Sequence, residues 1–509
     1  MRSKKAVINI ITTLGLQVIA IVYGFIVPKI IITSFGSSVN GLVSSITQFL
    51  AYISLLESGI GPVIKASLYK PIANKNKKEI SDVLKASEKF FKTISFIFII
   101  YLLILAFVYP LIVSSEFGYF YTLSLVIIIS ISTFAEYYFG MTYKLYLQAE
   151  QKTYIISIIQ IVTYILSIII IVILAKLNCS IHLIKLISGF IFVLRPILQC
   201  IYVKKKYQIN IMLADKNYHL KNKWDGLAQH IASVIHNNTD ITILTIFTNL
   251  VEVSVYSVYY LVIKGINSLM QSFAGGIDAS FGDMIAKKEY DNLNRKFNIY
   301  EVFYFTIATI IYTCSIILIV PFVSVYTKKI VDANYIRPLF GTLLVLSEFL
   351  WAIRLPYSSI TLAAGHFKET RKGAWIEAIT NIVVSVILVF KYGIIGVVIG
   401  TLLAMLIRTV EFVYHTNKYI LNRSAFESIK KILVIIIEVL LIVFLSKYLP
   451  KINVVSYLTW IEYALLVGLL AVIVVLSVNI IIYKKEFKEM INIIKNIFKK
   501  KEKNKWKHI

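Results

Sequence analysis

Long apolar stretches, separated by short polar segments, set the pattern of this chain. Residues 94–113, 155–174 and 465–483 each run close to 20 residues without a charged side chain. A helix of about 20 apolar residues crosses the roughly 30 Å hydrocarbon core of a bilayer. The pattern therefore predicts an all-α integral membrane protein.

Apolar runs of helix length predict about fourteen transmembrane helices. Three of them, 40–66, 227–249 and 253–285, also carry amide, hydroxyl and charged side chains. In lipid, such helices turn their polar face toward protein or toward a water-filled cavity. The predicted spans are 7–33, 40–66, 92–114, 118–143, 153–175, 181–203, 227–249, 253–285, 299–326, 335–361, 374–390, 394–418, 427–449 and 458–483.

Composition supports this class and excludes others. The 509 residues are 58% hydrophobic and 16% charged, whereas soluble domains are about half apolar and a quarter charged. The net charge of +26 comes from Lys and Arg in the segments between apolar runs, so we expect no nucleic-acid partner. HExxH, P-loop and Gly-x-Ser-x-Gly motifs are absent from the sequence, and its three cysteines lack metal-ligand spacing. We therefore expect neither an enzyme nor an ATP-driven pump, and no cofactor, metal or catalytic residue.

The basic residues also predict the orientation. With the N-terminus inside, the inner segments hold about five times as many Lys and Arg as the outer ones. Both chain ends are then cytoplasmic. The first apolar run is too long for a secretory signal and lacks a small-residue cleavage site, so we expect it to be a retained helix.

The two halves of the chain resemble each other at an offset near 215 residues. Six helices in each half predict two pseudo-symmetric lobes, 1–220 and 221–422, followed by two extra helices and a tail in 423–509. Transporters commonly place their substrate site between such repeats. The matching positions are Ser58-Gly59-Ile60 with Gly275-Gly276-Ile277, Leu147 and Ala149 with Leu362 and Ala364, Ile159-Gln160 and Thr163 with Ile376-Glu377 and Thr380, and Arg195 with Arg408.

Charges inside predicted spans are the main candidates for function. A charge at the bilayer centre costs roughly 2.5–3.5 kcal/mol on insertion scales. Arg195 and Arg354 have no acidic residue three or four positions away on their own helix, whereas Arg408 has Glu411. Guanidinium binds phosphate through two parallel hydrogen bonds, so Arg195 and Arg354 are candidate anion ligands. The alternative is an ion pair with an acid on another helix, such as Glu57 or Glu348.

The seventh span is unusually polar. Asn237, Asn238 and Asp240 either line a cavity or join helices through hydrogen bonds. Asp240 and Lys264 fall at similar depths on consecutive antiparallel helices, so we expect them to pair. That pair would leave Lys264 less available as a phosphate ligand, and Asp240 would be either structural or a carrier of a coupling ion.

A family resemblance accompanies these features. The chain resembles the bacterial polysaccharide (Wzx-like) flippases, which belong to the multidrug/oligosaccharidyl-lipid/polysaccharide exporter superfamily. The similarity is diffuse and extends over essentially the whole chain. It is carried by Phe35-Gly36, Asn40-Gly41-Leu42, Gln48-Phe49-Leu50, Ile53-Ser54-Leu55-Leu56-Glu57, Ser67-Leu68-Tyr69-Lys70-Pro71, Asn238-Thr239-Asp240 and Tyr256-Ser257-Val258-Tyr259.

The resemblance implies translocation of an undecaprenyl-pyrophosphate-linked oligosaccharide to the outer leaflet of a bacterial plasma membrane, by alternating access. It also implies proteins that assemble polysaccharides as potential partners. Three alternatives stay open: a lipid II flippase, a drug exporter of the same superfamily and a membrane-embedded polysaccharide polymerase. A drug exporter usually has twelve helices, whereas this sequence predicts about fourteen. A polymerase usually has a sizeable external loop, and this sequence predicts no such loop.

The segment from Lys484 onward has a different pattern. Apolar residues recur at helical spacing among many lysines, which is typical of a basic amphipathic helix on anionic inner-leaflet lipids.

The topology can be tested with reporter fusions. Fusions after Lys206 and after Lys500 should report the cytoplasm, and a fusion in the 327–336 loop should report the outside. An external signal from the tail would mean that the number of spans is wrong.

Overall fold

The chain is helical throughout the part that the computed structural model describes, residues 2–57, 60–207, 227–275, 278–450, 452–490 and 492. Within those ranges no strand is present. The helices of the first half are α1 Arg2–Phe35, α2 Ser37–Ala51, α3 Ser54–Glu57, α4 Ile60–Ala73, α5 Lys77–Ile112, α6 Tyr119–Ala135, a π-helical segment Glu136–Gly140, α7 Met141–Ala149, α8 Thr153–Lys176 and α9 Ile181–Tyr207. Those of the second half are α10 Leu227–Phe247, α11 Leu250–Gly275, α12 Asp278–Ala286, α13 Tyr290–Tyr326, α14 Pro338–Ala363, α15 Arg371–Tyr392, α16 Ile394–Tyr419, α17 Ala425–Ser446 and α18 Tyr457–Ile482.

Eleven spans in the described ranges are long and apolar enough to cross a membrane. The other three predicted spans are helical too, as α10, α11 with α12, and α17, but they contain more polar or charged residues. Large hydrophobic side chains on the outside of the helices are strongly exposed, for example Phe96 at 65%, Leu440 at 64% and Ile481 at 78%. Such surfaces are unfavourable in water and suit lipid. The predicted all-α membrane protein is confirmed.

Packing divides the chain into two compact units. Unit 1 contains Met1–Leu261, Lys329–Asn334 and Val389–Ile394; unit 2 contains Val262–Lys328, Tyr335–Leu388 and Ile395–Ile509. The predicted lobe boundaries at residues 220 and 422 come from the sequence repeat rather than from packing, and they stay a prediction.

In unit 1, α2 approaches the start of α11 closely at Asn40 and Gly41. The Asn40 side-chain amide donates to Ser254 Oγ at 2.8 Å. A Cβ atom on Gly41 would lie 1.8 Å from the Leu250 carbonyl oxygen, so only glycine fits. Small residues let helix backbones approach each other in this way. The Asn-Gly pair in the sequence therefore marks a helix contact.

In unit 2, a buried charge cluster joins α13 to α17 and to the loop before it. Glu301 of α13 has no exposed surface. Its Oε2 contacts Arg423 Nη2 at 2.9 Å and Lys431 Nζ at 2.5 Å. Ser428 and Tyr357 donate hydroxyl hydrogen bonds to its Oε1. Removing one partner of a buried pair typically costs about 3–5 kcal/mol, so this cluster fixes how α17 packs on α13.

The Gly41 contact predicts a specific sensitivity. Gly41→Ala forces a methyl group into a backbone carbonyl, which no rotamer change relieves, at a cost of about 1–3 kcal/mol or more. Quantitative immunoblotting of membranes should show several-fold less protein.

Gly468→Ala is the matched control, since a Cβ atom there meets nothing within 4 Å. Its abundance should equal or exceed that of the wild type. Equal abundance of the two variants would contradict the close approach at Gly41.

Candidate functional site

Arg195 of α9 lies in an aromatic environment within unit 1. Its Nε donates to Thr163 Oγ1 at 2.7 Å. The guanidinium carbon lies 4.3 Å from the ring centroid of Tyr164 and 4.0 Å from that of Phe192. Tyr23 of α1 packs against both rings, at 4.8 and 5.8 Å between centroids. The aromatic faces attract the cation and fix its orientation.

The charge of Arg195 is not compensated by an ion pair. In the part of the chain that the structure describes, no carboxylate lies within 4 Å of its guanidinium. Its Nη2 is buried and donates no hydrogen bond. A guanidinium has five N–H donors in a planar fork. Arg195 thus keeps a positive charge and unused donors within a predicted span.

The corresponding arginine of unit 2 has a different environment. Arg408 of α16 contacts Glu377 Oε2 at 3.3 Å through Nε and Glu411 Oε2 at 2.5 Å through Nη1. Its Nη1 also donates to the Thr370 carbonyl at 2.8 Å. The other Glu377 oxygen accepts a hydrogen bond from Arg354 Nη1 at 2.7 Å. Two arginines and two glutamates compensate one another in this network.

The predicted repeat points to one position that differs between the two halves. Gln160 stands in the first half where Glu377 stands in the second, and Thr163 corresponds to Thr380. A neutral amide cannot compensate a guanidinium as a carboxylate does. By the predicted repeat, the first half has the arginine but not this acid.

The structure locates Arg354 and the acids that were considered as its partners. Its partner is Glu377 of α15, rather than Glu57 or Glu348. Glu348 accepts a hydrogen bond from Asn267 at 2.8 Å, and Glu57 accepts one from the Tyr137 hydroxyl at 3.1 Å. The anion-binding role of Arg354 stays a prediction, and an anion there would compete with Glu377.

Polar residues of α10 make contacts within unit 1. The buried Asn238 accepts a hydrogen bond from Gln48, and its backbone carbonyl accepts one from Tyr52 at 3.2 Å. The buried Asp240 accepts one from the Tyr256 hydroxyl at 2.8 Å. Hydrogen bonds of this kind join neighbouring membrane helices. The side chain of Asn237 lies outside the described part of the chain.

The predicted pair of Asp240 and Lys264 is not tested by these contacts. Asp240 belongs to unit 1 and Lys264 to unit 2, where the Lys264 residue is exposed and its backbone carbonyl accepts a hydrogen bond from Ser268 at 2.8 Å. The pair stays a prediction, as does a substrate contact of Lys264.

A feature next to Arg195 was not expected from the sequence. The π-helical segment Glu136–Gly140 interrupts the helix between α6 and α7, and such segments often occur at functional sites. A Cβ atom on Gly140 would lie 2.6 Å from Pro196 Cβ, so this segment packs closely against α9 beside Arg195. Glu136 pairs with Lys144 at 2.9 Å. The sequence signal for this segment was an acidic residue, Glu136, inside the predicted 118–143 span.

Among the described residues, the side chains that could bind a metal cation are not clustered. Over the described ranges, no group of three or more His, Cys, Asp or Glu residues could hold a metal ion. Anion binding at Arg195 stays a prediction, motivated by its positive charge and its unused N–H donors.

Comparisons with known proteins identify the fold. No family model matches the sequence, and no curated protein matches it. Among solved structures, the chain is similar to the lipid II flippase MurJ in its inward closed conformation (16% identity, 94% of this chain and 99% of that chain, TM-score 0.68). It is also similar to an inward-facing multidrug resistance MATE family transporter of the MOP superfamily (12% identity, 78% of this chain and 93% of that chain, TM-score 0.60). A variant of the Vibrio cholerae MATE transporter VcmN matches as well (14% identity, 83% of this chain and 98% of that chain, TM-score 0.57).

At these identities the likeness concerns the fold. The protein has the fold of the transporters of the multidrug/oligosaccharidyl-lipid/polysaccharide exporter (MOP) superfamily, and the matched proteins are transporters and flippases. The matched MATE transporter covers 78% of this chain, whereas MurJ covers 94%.

The comparison of the two halves of the chain leads to a prediction for Gln160. By the predicted repeat, Gln160→Glu places an acid where Glu377 stands in the second half, so the variant should be as abundant as the wild type but should bind pyrophosphate at least about tenfold more weakly. Binding can be measured with the purified protein as stabilisation against heat by inorganic pyrophosphate.

Arg195→Ala should lose this stabilisation, and Arg195→Lys should keep part of it. Arg295→Ala, whose side chain is 66% exposed, is the control and should behave as the wild type. Undiminished pyrophosphate binding by Arg195→Ala would exclude Arg195 as an anion ligand.

Proposed function

We propose that this protein is a flippase that moves an undecaprenyl-pyrophosphate-linked oligosaccharide from the inner to the outer leaflet of the bacterial plasma membrane. The movement occurs by alternating access and serves the biosynthesis of a cell-surface polysaccharide. The observation that carries the proposal is Arg195, which forms no ion pair among the described residues, inside a predicted span of a MOP-superfamily fold.

Electrostatics supports an anionic cargo. Two charges 4 Å apart interact by about 1 kcal/mol in water and by about 4 kcal/mol at the effective dielectric constant near a protein surface. A pyrophosphate that leaves water therefore needs a protein cation that is not already paired. Arg195 meets this requirement, and its planar fork matches phosphate oxygens.

The residue pattern favours an oligosaccharide over other cargoes of this fold. The segments around Asn40-Gly41, Glu57 and Asn238-Thr239-Asp240 are those that resemble the polysaccharide flippases. Two of these segments form helix contacts within unit 1, at Asn40 with Ser254 and at Asp240 with Tyr256.

A lipid II flippase is the second candidate, and a specific observation favours it. The lipid II flippase MurJ is similar over 99% of its own length, with a TM-score of 0.68. Lipid II also carries a pyrophosphate, so Arg195 suits both cargoes and does not distinguish between them.

A drug exporter is a weaker candidate. A drug exporter of this superfamily usually has twelve helices, and α17 and α18 are additional helices that pack on α13. Cationic drugs would also be repelled by an uncompensated arginine.

The proposal also concerns the location of the protein, the lipids around it and its partner proteins. The cytoplasmic N- and C-termini and the bacterial plasma membrane follow from the basic residues and from the resemblance. The segment from Lys484 would lie on anionic inner-leaflet lipids; its residues 493–509 lie outside the described part. Proteins that polymerise the exported units are the expected functional partners.

Lipid-linked intermediates test the proposal. Deletion of the gene should cause the complete lipid-linked unit to accumulate several-fold on the cytoplasmic side, because assembly continues while export stops. Mass spectrometry of extracted lipids, with a membrane-impermeant label for outer-leaflet sugars, measures both amount and side. Wild type and Arg295→Ala should restore export, and Arg195→Ala should not.

Two outcomes would contradict the proposal. Export of single units without polymer would indicate a polymerase. Accumulated lipid II with normal oligosaccharide export, together with rescue of a strain depleted of its lipid II flippase, would establish the second candidate.

A further inference from the structure

A buried acid lies near the middle of α17, in one of the two helices that follow the repeat. Glu438 is 1% exposed. Its Oε1 is buried and accepts no hydrogen bond, and no cation lies within 4 Å of the carboxyl group among the described residues. Glu438 therefore differs from Glu301, whose charge is compensated by two cations.

Glu438 borders a small cavity in unit 2. The volume open to the centre of a water molecule is about 10 Å³, which is close to the room that one water needs. Side chains of α13, α17 and α18 line it: Val302, Phe305, Lys431, Ile435, Glu438, Asn479 and Tyr483. The cavity has room for a water molecule or a proton but not for a hydrated ion.

The polar groups around the cavity are mostly engaged elsewhere. Lys431, two turns before Glu438 on α17, contacts Glu301 and Asn298. Asn479 of α18 donates to Thr306 of α13 at 3.2 Å. Tyr483, which follows α18, also lines the cavity, and Glu301 and Glu486 interact electrostatically with Tyr483. Among the described residues, Lys431 is the one cation in the lining of the cavity.

An ionised carboxylate in this place would be costly. Taking a charged group out of water without compensation costs several kcal/mol even after relaxation of the protein. The neutral acid avoids this cost while Lys431 stays with Glu301. Loss of the proton to the cavity water leaves a carboxylate that attracts the Lys431 ammonium group.

We propose that Glu438 is a proton-binding site, and that release of its proton draws Lys431 away from Glu301. Because Glu301 and Lys431 join α13 to α17, the proton would control the packing of these two helices. This inference concerns unit 2 alone and does not depend on the identity of the transported molecule.

The chemistry of the cavity favours a proton over a metal cation. Hard cations such as Mg²⁺ or Ca²⁺ require about six or more oxygen ligands. Glu438 and Asn479 supply few oxygens, and the ammonium group of Lys431 repels a second cation.

Infrared spectroscopy of the purified protein tests the protonation state. At neutral pH the wild type should show the carbonyl band of a protonated carboxylic acid, shifted in D₂O. Glu438→Gln, which has the same shape as the neutral acid, should fold and lose that band. Glu462→Gln, which removes an exposed acid from α18, should retain it. The absence of the band from the wild type would overturn the proposal, whether or not the variant folds.

The pH dependence of thermal stability is an independent measurement. An unfolded Glu releases its proton above a pH of about 4.3, whereas the folded protein holds it at Glu438. Stability should therefore fall as the pH rises above that value, and Glu438→Gln should show a smaller slope than Glu462→Gln. An unchanged slope in Glu438→Gln, or stabilisation by Na⁺ that requires Glu438, would overturn the proton site.

Discussion

Hydrocarbon offers no water to stabilise a charge, so every charged side chain inside a membrane helix must find compensation within the protein or from a ligand. Most intramembrane charges described here follow this constraint. Glu301 is enclosed by Arg423 and Lys431, and Glu377 is shared by Arg354 and Arg408. These clusters hold neighbouring helices of unit 2 together.

The exceptions are informative for the same reason. Arg195 has no carboxylate partner among the described residues, and Glu438 has no cation partner there. An uncompensated cation suits an anionic ligand that arrives and leaves. An uncompensated acid suits a proton, which neutralises it within a small volume. The two sites have opposite charge and belong to different units, so their proposed ligands can be tested separately.

The two arginines that the predicted repeat matches, Arg195 and Arg408, have different environments. Both halves place an arginine on a helix that packs against a partner helix with an Ile-Gln or Ile-Glu pair. In unit 2 the acid of that pair compensates two arginines, and the network is closed. In unit 1 Arg195 contacts aromatic rings and one threonine. By the predicted repeat, Gln160 and Glu377 occupy one position, and the glutamate forms ion pairs with two arginines.

Apolar runs and basic loops were enough to predict an all-α membrane protein, since both arise from local composition and from the thickness of the bilayer. The correspondence of Arg195 with Arg408 stays a prediction of the repeat. The π-helical segment at Glu136–Gly140 was not predictable, because its extra residue per turn leaves little trace in hydrophobic periodicity. The partner of Arg354 was not predictable either, because Glu377 lies 23 residues away on another helix. Composition along the chain therefore determined the helices and their setting in lipid, whereas only tertiary packing decided which charges meet, since compensation depends on distances between helices.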